Sequence, residues 1–146
     1  MTLNELRAFV GREIAVTEWL EITQERIDKF ADATDDRQWI HTDRERAERE
    51  SPYGATIAHG FLTLSLLSRF LREAVQLSDV RMAINYGLNR VRFPSAVRAG
   101  SRIRARIVLQ SMRDVADAAE ATYAITIECE GSDKPCCVAE SIARYN

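Results

Sequence analysis

The segment Phe61 to Val75, FLTLSLLSRFLREAV, constrains the fold more than any other part of the chain. It has the length of a helix, and its first half is apolar on nearly every side, so it has to be enclosed. The residues that follow supply the enclosure. Met82, Ile84, Tyr86 and Leu88 alternate with period two, whereas Val91 and Phe93 fall on odd positions. The buried face therefore switches near Asn89 and Arg90, which is what a β-bulge does. Ile103, Ala105, Ile107 and Leu109 then alternate with Arg102, Arg104 and Arg106, giving a strand with one apolar and one cationic face. Tyr123, Ile125, Ile127 and Cys129 share a face within residues 120–130, and residues 137–145 form a last strand. The stretches 94–100, MRDVADAA and GSDKP read as the connections between them. Strands with a single apolar face, joined by short turns after one buried helix, predict an α+β fold: an antiparallel sheet wrapped around that helix.

Upstream, Leu3, Leu6, Phe9 and Val10 recur at helical spacing until Gly11 ends the pattern, predicting a short amphipathic helix. Glu13 to Ile22, rich in β-branched and aromatic residues, reads as one strand. Thr23 is placed to cap a helix running to Thr34, with Ile27, Phe30 and Ala31 on its inner stripe and Arg26 where a capping box would hold Glu. Thr42 or Asp43 caps a second short helix whose charges, RERAERE, mark a solvated face.

Between these helices and the buried segment lie both histidines of the protein, His41 and His59. Histidine is the side chain that titrates near neutral pH, so these two are the first candidates for acid/base chemistry. Asp36 stands five residues before His41, and in a continuous helix the pair would point about 140° apart at roughly 100° per residue. Convergence requires a break, and Asp35 to Ile40 reads as a loop that provides one. Further on, Pro52 and Gly54 punctuate the backbone and Gly60 opens the buried helix. N–H groups in a first helical turn have no partner within the helix, and a glycine there lets a ligand come close to the backbone. An aspartate, a histidine and such an N–H are the parts of a general base and an oxyanion site.

The strings ATDDRQWIH and TIAHGFLTLSLL together resemble the MaoC-like, or (R)-specific enoyl-CoA hydratase, family. Asp36 and His41 keep the spacing of that family's Asp-x-Asn-Pro-Leu/Ile-His loop, and His59 and Gly60 match its Ala/Val-His-Gly element. Gln38 and Trp39 replace Asn-Pro, as in the nodulation protein N-like branch, a departure that bears on the substrate more than on the reaction. The resemblance covers most of the chain and implies one MaoC-like hot dog domain over residues 1–146, with a five-stranded antiparallel sheet around a long central helix. It implies a homodimer that adds water to a trans-2-enoyl-CoA thioester, giving (R)-3-hydroxyacyl-CoA, and runs the reverse dehydration, without a metal or other cofactor. Asp36 and His41 would activate the water, and the Gly60 N–H would meet the thioester oxygen.

Ser65 falls where family members place a serine that orients the catalytic aspartate; its alternative is a bond back to the helix backbone. Trp39 is a candidate for the acyl pocket or for filling the core. Arg102, Arg104 and Arg106 stand either for a grip on the CoA phosphates or for the wet face of a strand. Two other functions share the fold: an acyl-CoA thioesterase, and a non-catalytic module binding acyl-CoA or acyl carrier protein. A Ser-His-Asp hydrolase built on Ser65 lacks the G-x-S-x-G elbow.

A net charge of −2 over 146 residues gives no general electrostatic reason to bind nucleic acid. No apolar run reaches the roughly 18 residues of a membrane span, and the start MTLNELRAFVGRE lacks the pattern of a signal peptide. The expectation is a cytoplasmic protein, with Cys129, Cys136 and Cys137 as reduced thiols and neither a disulfide nor a zinc site.

Overall fold

The computed structural model describes residues 1–146. A helix α1 (Leu3–Arg7) opens on a capping box in which the Thr2 side chain accepts from the Glu5 N–H and Glu5 accepts from the Thr2 N–H. Two short strands follow, β1 (Arg12–Val16) and β2 (Leu20–Glu21), then helices α2 (Gln24–Thr34), α3 (Trp39–Thr42) and α4 (Arg44–Glu50). The buried segment forms α5 (Gly60–Ser65) and α6 (Leu67–Ala74), and β3 (Ala83–Arg92), β4 (Arg102–Val115), β5 (Ala118–Cys129) and β6 (Cys137–Tyr145) complete the chain. All strand pairings are antiparallel in the order β1-β4-β5-β6-β3, with β2 also on β4.

The sheet wraps the helical segment as the alternation predicts. Ile103, Ala105, Ile107 and Leu109 of β4 and Tyr123, Ile125 and Ile127 of β5 are buried against Leu62, Leu66, Leu67, Phe70 and Leu71 in one core. This is the α+β hot dog arrangement. No helix is long and apolar enough to cross a membrane.

Four details differ from the sequence reading. The central helix is interrupted at Leu66, whose N–H is shared between the carbonyls of Leu62 and Thr63, while Ser65 Oγ donates to the Leu62 carbonyl at 2.7 Å. A hydroxyl that bonds back onto its own helix competes with the regular ladder, and the helix is interrupted here without a glycine or proline. The predicted strand Glu13–Ile22 is two pieces, because Thr17 leaves the ladder to donate its N–H to Ala105 O and to accept the Ala105 N–H on its hydroxyl. MRDVADAA is not a separator: β4 and β5 continue through it to a tight turn at Ala116–Asp117, with Ala116 at φ 50°. The loop read through Ile40 ends earlier, at Gln38, where α3 begins.

The bulge expected near Asn89 and Arg90 is present as a register shift between Leu88 and Val91, and a second shift lies between Asn85 and Gly87. The face expected to be buried ahead of that bulge is open instead: β3 is an edge of the sheet, and its apolar residues Ile84, Tyr86 and Leu88 are 42%, 53% and 45% exposed.

Candidate active site

The break that brings Asp36 and His41 together begins at the end of α2. Asp35 takes the left-handed conformation, φ 60° and ψ 18°, which terminates the helix, and aspartate tolerates that region better than most residues. Arg37 bridges Asp32 and Asp35 across the turn, at 3.2 and 2.9 Å. Thr42 Oγ donates to the carbonyls of Arg37 and Gln38, closing the loop on α3. Asp36 stays exposed, whereas His41, one turn further on, is buried.

His41 is held from two sides. Its ring Nδ1 lies 2.7 Å from the Ile57 carbonyl, and the Ile57 N–H returns a bond to Ile40 O. A carbonyl only accepts, so Nδ1 carries the proton and Nε2 keeps a lone pair in the neutral ring. The His41 carbonyl accepts from Gln24 Nε2 at 2.7 Å, and the Gln24 amide oxygen accepts from the Thr56 hydroxyl. Gln24 therefore ties α2, α3 and the 55–58 segment together. The sequence reading missed it, because a glutamine in the first turn of a charged helix looks like a solvent-facing residue; only tertiary contacts bury it.

His59, buried at the start of α5, stacks on His41 with ring centroids 3.8 Å apart and planes at 23°. Its Nε2 lies 2.9 Å from the Asp36 carbonyl, so that nitrogen is the donor, and its Nδ1 is buried without a hydrogen-bond partner. Asp36, His41 and His59 each offer one atom of a set lying within 4.8 Å of one another. Such a trio invites a metal. An ion shared by two imidazoles must lie close to the plane of both rings, along their lone pairs, and near-parallel stacked rings do not aim that way. The pair is arranged as a stack.

Burial pushes the pKa of His41 below its ordinary value; the Ile57 carbonyl opposes this, a charge on His59 would add to it, and Asp36 acts the other way. His41 is accordingly neutral at neutral pH, with Nε2 able to accept a proton.

Gly60 is the first residue of α5, outside left-handed space, and its N–H has no acceptor within the chain. A Cβ at this position would stand 3.1 Å from the Phe93 ring. Gly60, Phe93, Tyr53, Thr63 and Val97 border a cleft of about 280 Å³.

The remaining sequence candidates lie elsewhere. The Ser65 hydroxyl is engaged with Leu62 O, the backbone alternative considered for it. Trp39 is half-buried on α3 under the Arg46 guanidinium, 4.2 Å from the ring centre. Arg102, Arg104 and Arg106 lie on the outer face of the sheet, paired with Glu130, Glu128 and, for Arg106, Glu128 and Glu13. All three cysteines are free and buried.

An antiparallel sheet around an interrupted helix, with an aspartate and a histidine converging beside the helix start, defines a hot dog protein of the hydratase and dehydratase type. The family described as "MaoC like domain" matches residues 6–129, and the chain belongs to it. It is 51% identical over 145 residues to "3-hydroxyacyl-thioester dehydratase Z" of Mycobacterium tuberculosis (strain ATCC 25618 / H37Rv), covering 99% of this chain and 95% of that protein. It is 44% identical over 144 residues to "Nodulation protein N" of Rhizobium leguminosarum bv. viciae, covering 97% and 89%. The (R)-hydratase of A. caviae shares the fold with a TM-score of 0.74 at 20% identity, over 90% of this chain and 95% of the other. A MaoC-like dehydratase from Rhodospirillum rubrum aligns with a TM-score of 0.77 at 19% identity, over 99% and 96%.

Proposed function

We propose that this chain, as one MaoC-like domain, is a hydro-lyase: an (R)-specific enoyl-CoA hydratase that adds water to trans-2-enoyl-CoA to give (R)-3-hydroxyacyl-CoA and catalyses the reverse dehydration. The observation that carries this reading is the convergence of the Asp36 carboxylate with a neutral His41 whose Nε2 lone pair is free, beside an unpaired Gly60 N–H. The names of the relatives, a 3-hydroxyacyl-thioester dehydratase and an (R)-hydratase, support it.

In hydration, the water oxygen bonds to C3 as one of its protons passes to the Asp36–His41 pair. The C2–C3 π electrons move toward the thioester carbonyl, and the Gly60 N–H stabilises the negative oxygen. The pair then returns a proton to C2, so that one water is added and no proton is gained or lost overall. Dehydration is the same path reversed. None of these steps calls on a metal or a redox group. Ser65 and Trp39 have no direct role in this scheme; Ser65 bonds back to the Leu62 carbonyl at the break in the central helix, and Trp39 packs α3 on α4.

The reading includes a homodimer. Strand β3 has an unpaired edge and exposes Ile84, Tyr86 and Leu88, a surface suited to a second copy. A cytoplasmic setting is in keeping with three unpaired cysteines. The chemistry is tested by following water addition and CoA release together across a series of enoyl-CoA thioesters. The expected result is hydration without CoA release. Free CoA would point to a thioesterase, and binding without either product to a non-catalytic module. Light scattering should give a dimer, and a stable active monomer would overturn that part.

A further inference from the structure

Asp36 is exposed, lies in a four-residue link between α2 and α3, and belongs to neither helix. A carboxylate that takes a proton from a reacting water has to be held to within about half an ångström of its working position. Side-chain support is slight: the Gln38 N–H reaches Oδ1 at 3.5 Å, and the Arg37 guanidinium serves Asp32 and Asp35 instead. The main chain of Asp36 makes one hydrogen bond, and its donor is Nε2–H of His59, at 2.9 Å. Loops with so few bonds open easily when one is removed.

The donor itself is well fixed. His59 is buried, its carbonyl accepts the N–H groups of Leu62 and Thr63 at the start of α5, and its ring meets Phe30 at 4.9 Å as well as stacking on His41. One ring therefore touches both members of the pair and adjoins Gly60 in the chain. We propose that His59 is a positioning residue of the hydration site: its Nε2–H holds the Asp36 backbone in place beside His41. This inference rests on the hydration reading above. It gives His59 no proton to transfer to substrate, since Nε2–H is committed to a carbonyl and Nδ1 is enclosed in the protein.

His59→Phe keeps an aromatic face against His41 but removes the donor; His59→Gln loses the face but places an amide N–H near the position of Nε2. Hydration of the enoyl-CoA preferred by the wild-type protein is measured for both, per folded molecule, with Asp36→Asn and Asp36→Asn/His59→Phe in the same series. Misplacing a reacting group by about 1 Å can cost on the order of 100-fold, so kcat of His59→Phe should fall roughly 10- to 100-fold with KM within about threefold. His59→Gln should recover most of that loss, and the double variant should be no slower than Asp36→Asn, because His59 acts through Asp36. The proposal is overturned if His59→Phe turns over within about threefold of wild type, if Phe and Gln lose activity equally, or if the double variant is at least about tenfold worse than Asp36→Asn. Should His59→Phe not fold, His59→Gln decides alone: kcat within about threefold of wild type supports the proposal, and a tenfold loss overturns it. Full activity in Asp36→Asn is a separate outcome, which removes the hydration reading itself and this inference with it.

Discussion

Two clusters of charged and titratable residues stand out in the chain, and they differ in what the fold leaves open. On the outer face of β4, Arg102, Arg104 and Arg106 meet Glu130, Glu128 and Glu13, so each charge is answered by a neighbour. The glutamates register this: hydrogen bonds from Arg104 and Arg106 hold the Glu128 carboxyl below its ordinary pKa, and Arg102 does the same to Glu130. At the start of α5 the opposite holds. His41 Nε2 keeps a lone pair, the Gly60 N–H has no acceptor, and the Asp36 carboxylate faces solvent. The arginine ladder is complete as it stands, whereas the Asp36–His41 cluster has hydrogen-bonding capacity that a substrate and a water can take up.

Removing one half of the open cluster should have the largest effect. His41→Gln is expected to lower hydration by roughly two to four orders of magnitude, the usual contribution of a positioned acid/base group. Because both residues act on one water, Asp36→Asn/His41→Gln should be little slower than the single variant. Multiplying losses in steady-state kinetics would mean that the two work separately.

Gly60→Ala comes next. Gly60 is not in left-handed space, so backbone strain is not the issue, and alanine is a better helix former by up to about 1 kcal/mol. The added methyl would press on the Phe93 ring at 3.1 Å, but that ring is 41% exposed and free to give. The expected outcome is a tenfold or greater loss of kcat/KM with Tm within a few degrees of wild type, on the order of 1 kcal/mol or less in stability. A large fall in Tm with unchanged activity per folded molecule would move Gly60 from the chemistry to the packing.

The complete cluster should respond far less. Arg104→Gln and Arg106→Gln each cut an ion pair to Glu128 at the surface, worth roughly 0–1 kcal/mol. Hydration should stay within about twofold of wild type, and the small loss of Tm should shrink further in high salt. A rise in KM for CoA thioesters of tenfold or more would revive the phosphate-binding role.

The smallest effect concerns pH. Folding holds the pKa of His41 below the ordinary 6.5, so between that value and the folded one the unfolded chain binds a proton that the native chain does not. The His41 contribution to stability is therefore fully present above pH 6.5 and is lost as pH falls through that window. Tm measured against pH should fall less steeply on acidification in His41→Gln than in wild type, and equal slopes would count against a neutral buried His41.

The strands were legible because their information is local. The alternation places β6 at residues 137–145, and its change of phase puts a bulge between Leu88 and Val91, although on β3 the alternating Ile84, Tyr86 and Leu88 are exposed rather than buried. The Ala116–Asp117 turn was not legible, because it lacks the glycine or asparagine that marks a tight hairpin. The interruption at Leu66 was hidden in a run of apolar helix formers. Within the site, the spacing of Asp36 and His41 made the pair visible and required a break between them. The contacts that fix the pair were not visible: His59 to the Asp36 carbonyl spans 23 residues, and Gln24 to the His41 carbonyl spans 17. Such partners are chosen by tertiary structure, and neither residue type nor local pattern announces them.

The most direct test is the turnover of Asp36→Asn on an enoyl-CoA thioester, measured per folded molecule, with CoA release followed in the same samples. Asn keeps the shape of the side chain and removes its basicity. If Asp36 and His41 share the water, hydration should fall by roughly two to four orders of magnitude while the melting temperature holds, and neither protein should release CoA. Near-wild-type hydration by the Asn variant would contradict the assignment of the site.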